Sequence, residues 1–276
     1  MHILICTDGS SAAEQAALLM VKFQFPTDTR YTLLGVSELD GDQVHLQASF
    51  KRIDSMLTAT GAPIQHKMRY GNAAEEIIKE TETKEYDLVA LGVSGKTRPI
   101  PVLRAGSTTK KLAQTLTMPL VIARSIPERI SKILVCTGGE AQSLENIRTA
   151  ARFLQCVPAT ITLLHVMSQL ALHLDSPDQD LLDTAESAIE RGTREGRHFL
   201  QAIEILGEAG IPEAITAKLR HGLVIDEVIK ELNEGHYDLM VIGSHYHQAK
   251  KPLLEILLED IAGQLIGRAS CSVLLV

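Results

Sequence analysis

The sequence is short of positive charge, of paired cysteines and of long apolar runs. Lys and Arg number 27 against 34 Asp and Glu, a formal net charge of −7 with a pI near 5.8. A nucleic-acid or membrane-surface binder normally shows a basic face, so neither class is expected. The four cysteines, Cys6, Cys136, Cys156 and Cys271, form no CxxC pair. Cys6, Cys136 and Cys271 sit in apolar strand-like runs, where a thiol acts as a small hydrophobe, which points to a reducing, cytoplasmic setting. No apolar run approaches the ~20 residues of a spanning helix, and Met1 leads straight into strand-like His2–Cys6 without a basic leader. The expectation is a soluble chain. Also missing are HExxH, Walker A and nucleophile-elbow patterns, which removes the zinc-protease, P-loop and α/β-hydrolase chemistries.

What is present is a repeat. At 276 residues the chain suits two domains of roughly 100–200 residues each. Ile3-Leu4-Ile5-Cys6-Thr7 returns as Ile133-Leu134-Val135-Cys136-Thr137, and Thr32-Leu33-Leu34-Gly35-Val36 returns as Thr162-Leu163-Leu164-His165-Val166, both 130 residues on. Tyr86-Asp87-Leu88 returns as Tyr237-Asp238-Leu239, now 151 residues on, so the second copy has gained residues after its second strand. Internal similarity at this scale marks duplication of a folding unit. Two domains are expected, 1–126 and 131–276, joined by a Pro127-containing linker within 123–131.

In each copy, short β-branched and Leu runs alternate with helix-period stretches, the pattern of strands buried on both faces of a parallel sheet. In copy one the strands are predicted near 2–6, 30–36, 64–69, 87–91 and 119–123, with helices near 11–23, 42–60, 72–84 and 107–116. This βαβαβαβαβ order predicts an α/β fold class: two tandem doubly wound, five-stranded parallel-sheet domains. The segment added to copy two has helical periodicity over 178–206 and predicts one extended second helix. Ligands of such sheets bind beyond the carboxyl ends of the strands, where strand order reverses.

Copy one ends its first strand in Thr7-Asp8-Gly9-Ser10. Asp8 is placed to accept from an adenine amino group or a ribose hydroxyl, or, with Ser10, to cap the following helix. The fourth strand runs into Gly92-Val93-Ser94-Gly95, and Gly106-Ser107-Thr108-Thr109 opens the last helix. Glycines permit close approach of backbone to phosphate, and free N–H groups at a helix start make an anion site; the structural alternative is a glycine-punctuated loop. Lys110 and Lys111 lie in the first turn of that helix, against the macrodipole by ~0.3–1 kcal/mol each, a penalty that a bound anion would reverse. Lys96, Arg98 and Arg104 are further candidate phosphate partners or solvated charges.

Copy two differs at three of these places: Asp8 becomes Gly138, Gly95 becomes Tyr246, and Gly106-Ser107 becomes Glu259-Asp260. Two carboxylates at a helix start would repel a phosphate by up to about 4 kcal/mol per close pair at an effective dielectric of 20. His245-Tyr246-His247 offers two imidazoles without a third ligand in view, which reads as a polar loop rather than a zinc site.

An Asp after the first strand, then GxxG, a spacer and G[ST] together resemble the ATP-binding subclass of the universal stress protein family, and the whole chain resembles that family's tandem form. The spacer is ten residues here against the family's nine. The resemblance implies an adenine nucleotide α-hydrolase-like fold with ATP in copy one. Thr7 and Asp8 would sit by the adenine, Val36 against the base, Leu91, Gly92 and Gly95 along the ribose and phosphates, and Gly106, Ser107 and Thr108 on the phosphates. Mg²⁺ would travel with the phosphates rather than in a protein cage. It also implies a pseudo-dimer of the two copies through strands 119–123 and 271–276, and leaves room for a homodimer. No positioned general base or nucleophile is evident, so hydrolysis is expected to be slow or absent. Two other readings stay open: a nucleotide-independent interaction module, and an enzyme on the same type of sheet, such as an ATP pyrophosphatase, whose SGGxDS-like loop is missing at both first strands.

Overall fold

The computed structural model describes residues 1–37, 43–93, 107–168, 184–211, 215–244 and 261–276. They form two compact units, one of Met1–Arg129 with Ser244 and Ser270–Leu275, the other of Ile130–Gly243 with the described part of 250–269 and Val276. The first unit runs β1 (His2–Thr7), α1 (Glu14–Met20), β2 (Arg30–Ser37), α2 (Gln43–Leu57), β3 (Ile64–Tyr70), α3 (Ala73–Thr83), β4 (Leu88–Gly92), α4 (Ser107–Thr115) and β5 (Leu120–Ala123). Its strand order, β3-β2-β1-β4-β5, is parallel throughout and reverses direction of winding between β1 and β4. All six residues of β1 are buried. Since successive side chains point to opposite faces, both faces of the sheet are covered.

The last strand of the chain, β10 (Ser272–Leu275), belongs to this first unit and pairs antiparallel with β5 through Val273–Ile122, Leu274–Val121 and Leu275–Leu120. The fully buried Ser272 fixes the register: its Oγ donates to the Arg124 carbonyl at 2.9 Å and accepts from the Arg124 amide at 3.0 Å. β5 thereby gains a partner and is no open edge.

The second unit runs β6 (Lys132–Thr137), α5 (Ala141–Leu154), β7 (Thr160–Met167), α6 (Ala185–Glu190), α7 (Arg194–Glu208), β8 (Ile215–His221), α8 (Val224–Gly235), β9 (Leu239–Ile242) and α9 (Ile261–Arg268). Its parallel strands take the order β9-β6-β7-β8. The single extended helix expected over 178–206 is corrected: the described part is two helices, α6 and α7. Gly192 takes φ +64°, and the Thr193 side chain accepts from the Gly196 amide, capping a new helix start. A glycine in left-handed conformation followed by a capping threonine ends one helix and begins the next.

The same buried ion cluster stabilises both units. In the first, Glu80 of α3 is fully buried and accepts from Lys67 Nζ, Arg69 Nη2 and Tyr86 Oη, each at 2.6 Å. In the second, Glu231 of α8 accepts from Lys218 Nζ at 2.7 Å, Arg220 Nη2 at 2.6 Å and Tyr237 Oη at 2.6 Å. Asp87 and Asp238, beside the tyrosines, each clasp the start of the central strand, accepting from the amides of His2 (2.8 Å) and of Ser131 and Lys132 (2.7 and 3.0 Å). None of the four cysteines is in a disulfide, and burial pushes the Cys6 thiol well above its usual range. No helix among the described residues is long and apolar enough to cross a membrane.

Burial alone would raise the Glu80 pKa, but its bonds to Lys67, Tyr86 and Arg69 outweigh that and hold it at about 2, below the usual 4.5. The unfolded chain therefore takes up this proton first as pH falls. The stabilisation, roughly 3 kcal/mol, is present in full above pH ~4.5 and disappears as pH falls through about 2. Urea unfolding across that window is predicted to show the loss, and Glu80→Gln should start less stable at neutral pH and lose less between pH 4.5 and 2. Equal slopes for the two proteins would contradict this.

Candidate functional site

The reversal point of the first unit lies between β1 and β4, where Cys6 pairs with Leu91. Thr7 and Gly35 are also register partners, so Asp8, just past β1, Val36, one residue from the end of β2, and Gly92, at the end of β4, lie at one carboxyl edge. A crossover helix between parallel β4 and β5 must run back from that edge, which puts Ser107, the first residue of α4, there as well. Ser107 is exposed, Thr108 half-buried and Thr109 buried. Gly95 and Gly106, with Lys96, Arg98 and Arg104, lie outside the described residues.

Asp8 is exposed, and its Oδ1 accepts from the Ser10 amide at 2.9 Å. Ser10 Oγ in turn accepts from the Ala13 amide at 3.2 Å, closing the turn before α1. Asp8 and Ser10 thus shape the turn and do not cap α1, whose N-cap position is Ala13 without a side-chain cap hydrogen bond; the exposed Asp8 carboxylate keeps lone pairs beyond the one used. Thr7 is buried and differently employed: its Oγ1 lies 3.0 Å from Ser49 Oγ and accepts from the Gly9 amide at 3.0 Å. Gly9 adopts φ +86°, and a Cβ there would fall 3.4 Å from the Cβ of His45 in the first turn of α2. His45 is exposed; nothing in its sequence spacing singled it out.

Val36 and Leu91 are 4% and 7% exposed, so either could meet a ligand only at its rim. At Gly92 a Cβ would fall 2.0 Å from the Ala12 carbonyl oxygen and 2.8 Å from that of Ala13. This glycine is required by the approach of the backbone preceding α1, whatever else binds there. Lys111 pairs with Glu75 of α3 at 3.0 Å, so its charge near the start of α4 has a partner in the chain itself.

The corresponding edge of the second unit is furnished with side chains. Gly138 stands in place of Asp8, and its amide donates to Ser143 Oγ at 3.0 Å. His165, in the position of Gly35, donates from Nδ1 to the Thr137 carbonyl at 2.9 Å. Its ring lies over Gly139 (φ +78°), where a Cβ would fall 2.8 Å from His165 Cε1. Thr137 Oγ1 sits 2.6 Å from Nε2 of His198, whose ring burial, with His165 and Arg194 nearby, holds below its usual 6.5. At Gly243, the counterpart of Gly92, a Cβ would meet Asn146 Nδ2 at 2.1 Å. The carboxylates expected to plug this site, Glu259 and Asp260, and the loop His245–His247, lie outside the described residues. The available signal was the Gly35-to-His165 exchange inside an otherwise matching strand. Among the described residues, no group of three His, Cys, Asp or Glu side chains could hold a metal ion.

Comparison with known proteins adds the following. The sequence pattern of the Universal stress protein family matches residues 1–124 and again 129–276. The chain is similar in structure to a universal stress protein from Archaeoglobus fulgidus, with a TM-score of 0.66 and 14% identity over 99% of this chain and 95% of that one. It is similar to a functionally unknown protein from Pseudomonas aeruginosa as well, with a TM-score of 0.65 and 16% identity over 100% and 92%. No curated protein matches it by sequence.

Two substitutions separate architecture from ligand contact. Gly92→Ala is predicted to destabilise the chain by about 3 kcal/mol or more through overpacking, whereas Asp8→Ala should stay within about 1 kcal/mol of the unaltered protein, its one bond being local and exposed. Chemical denaturation of both checks this; comparable losses would show that Asp8 is a structural residue.

Proposed function

The chain belongs to the universal stress protein family, and from that premise we propose that its first unit binds ATP, with Mg²⁺ accompanying the phosphates, in a cytoplasmic regulatory or stress-response role. The observation that supports this most is the difference between the two carboxyl edges. The first presents an exposed carboxylate, Asp8, and an exposed helix start at Ser107. The second replaces the carboxylate with Gly138 and sets the His165 ring over the adjoining glycine.

In this reading Asp8 accepts from the adenine or ribose. Val36 and Leu91 border the base and sugar. Gly92, Gly95, Gly106, Ser107 and Thr108 flank the phosphates, where amide hydrogens at a helix start favour an anion. The residues present fit such a ligand: an outward acceptor beside a strand-end reversal and two hydroxyls on a helix N-terminus. Binding is proposed without turnover beyond slow hydrolysis. The Lys111–Glu75 pair favours a second reading, a nucleotide-independent interaction module, because it removes part of the need for an anion at α4.

Calorimetry with Mg-ATP is predicted to give about one site per chain. Asp8→Ala and Gly106→Glu should abolish binding, and Glu259→Ala should leave it intact. Absence of heat and of a thermal shift at millimolar ATP would leave the interaction module standing.

A further inference from the structure

From the Asp8 turn a chain of polar groups, buried at Thr7, Ser49 and Glu14 and closed by the exposed Arg52, runs through α2 to α1. Ser49, on α2, is fully buried, and Glu14, on α1, is 7% exposed. Ser49 Oγ donates to Glu14 Oε1 at 3.4 Å, and the same oxygen takes Arg52 Nε at 2.7 Å and Arg52 Nη2 at 2.6 Å. Either hydroxyl could donate in the 3.0 Å contact between Ser49 and Thr7; when the single Ser49 proton goes to the carboxylate, the donor there is Thr7. Thr7 Oγ1 is then left as the acceptor that holds the Gly9 amide. Three hydrogen bonds run in one sense, from Gly9 through Thr7 and Ser49 to Glu14, and the two from Arg52 meet them at the same carboxylate oxygen.

We infer that Glu14, Ser49 and Arg52 are positioning residues for the nucleotide edge: they fix the Thr7 hydroxyl, which holds Gly9 in its left-handed conformation and thereby sets the Asp8 carboxylate. The inference rests on the nucleotide reading of the first unit. The second unit supplies the contrast. At the 130-residue spacing Leu144 stands where Glu14 does, the threonine hydroxyl is met by His198 instead of a serine, and the amide of Gly138, the counterpart of Asp8, goes to Ser143. Loss of the relay accompanies loss of Asp8, while the Glu80-type cluster, which serves the fold, is retained in both units. Thr7 thus contributes by shaping the turn, its hydroxyl being already engaged on both sides.

The test uses the full chain. Ser49→Ala and Glu14→Gln should bind Mg-ATP roughly two- to tenfold more weakly than the unaltered protein, the span of one net hydrogen bond, with unchanged stoichiometry. In the ligand-free state the Gly9 amide should exchange with solvent faster in both. Thr7→Ser keeps the hydroxyl and should retain affinity and protection. Thr7→Val should lose both, and adding Ser49→Ala to it should cost no more than Thr7→Val alone. Should Ser49→Ala fail to fold, Glu14→Gln, altered by one atom, decides the matter. Binding by the unaltered chain with full affinity and full Gly9 protection in Glu14→Gln and in any folded Ser49→Ala overturns the relay alone. No binding by the unaltered chain overturns the nucleotide reading, and the positioning role with it.

Discussion

Each unit is organised around one buried carboxylate that could not remain charged without its partners. Glu80 and Glu231 are fully buried, and an unpaired charge at such depth costs several kcal/mol even after relaxation. Each is matched by a lysine and an arginine two residues apart on the outer strand, and by a tyrosine just before the fourth strand. The cluster ties a helix, an outer strand and a central strand together in one place. It also turns the charges of β3 and β8 inward, which is how a sheet margin is kept from pairing with foreign strands. The cluster reaches from Tyr86, just before β4, to Arg69, in register with Val36, and both units keep it while their carboxyl edges differ.

The two units show such a change. Their strands, the Tyr-Asp pair and the ion cluster are alike, while the carboxyl edges have diverged as sets. In the first, an exposed Asp8 rises from a turn braced by Thr7, Ser49, Glu14 and Arg52. In the second, glycine replaces the aspartate, and His165, His198 and Asn146 occupy the surroundings of Gly139, Thr137 and Gly243. The duplicated scaffold thus keeps an exposed Asp8 at one edge and sets the His165 ring over a glycine at the other.

The fold was largely legible because buried parallel strands write themselves as apolar runs; the ends of β1, β2 and β3 fall within one or two residues of the expected positions. The ion cluster was not read from the sequence although Lys67, Arg69, Glu80 and Tyr86 all recur 151 residues on, because charged residues on an outer strand look like surface until the buried glutamate is seen. Helical periodicity over 178–206 hid the break at Gly192, whose positive φ outweighs the local preference on either side. At the site, Asp8 was visible from its place at a strand end. The employment of Thr7 was not, because Ser49 reaches it from a helix 42 residues along the chain. Gly92 looked like a ligand glycine and is first a packing glycine, a distinction that only the 2.0 Å approach of Ala12 reveals.

The account stands or falls on the inequality of the two carboxyl edges. Backbone amide shifts recorded during an Mg-ATP titration of the intact chain read both edges at once. Changes should concentrate at Asp8–Ser10, Val36, Gly92 and Ser107–Thr109 and leave Gly138, Gly139 and Gly243 in place. Shifts centred on Gly138 and Gly139, or equal at both edges, would contradict it.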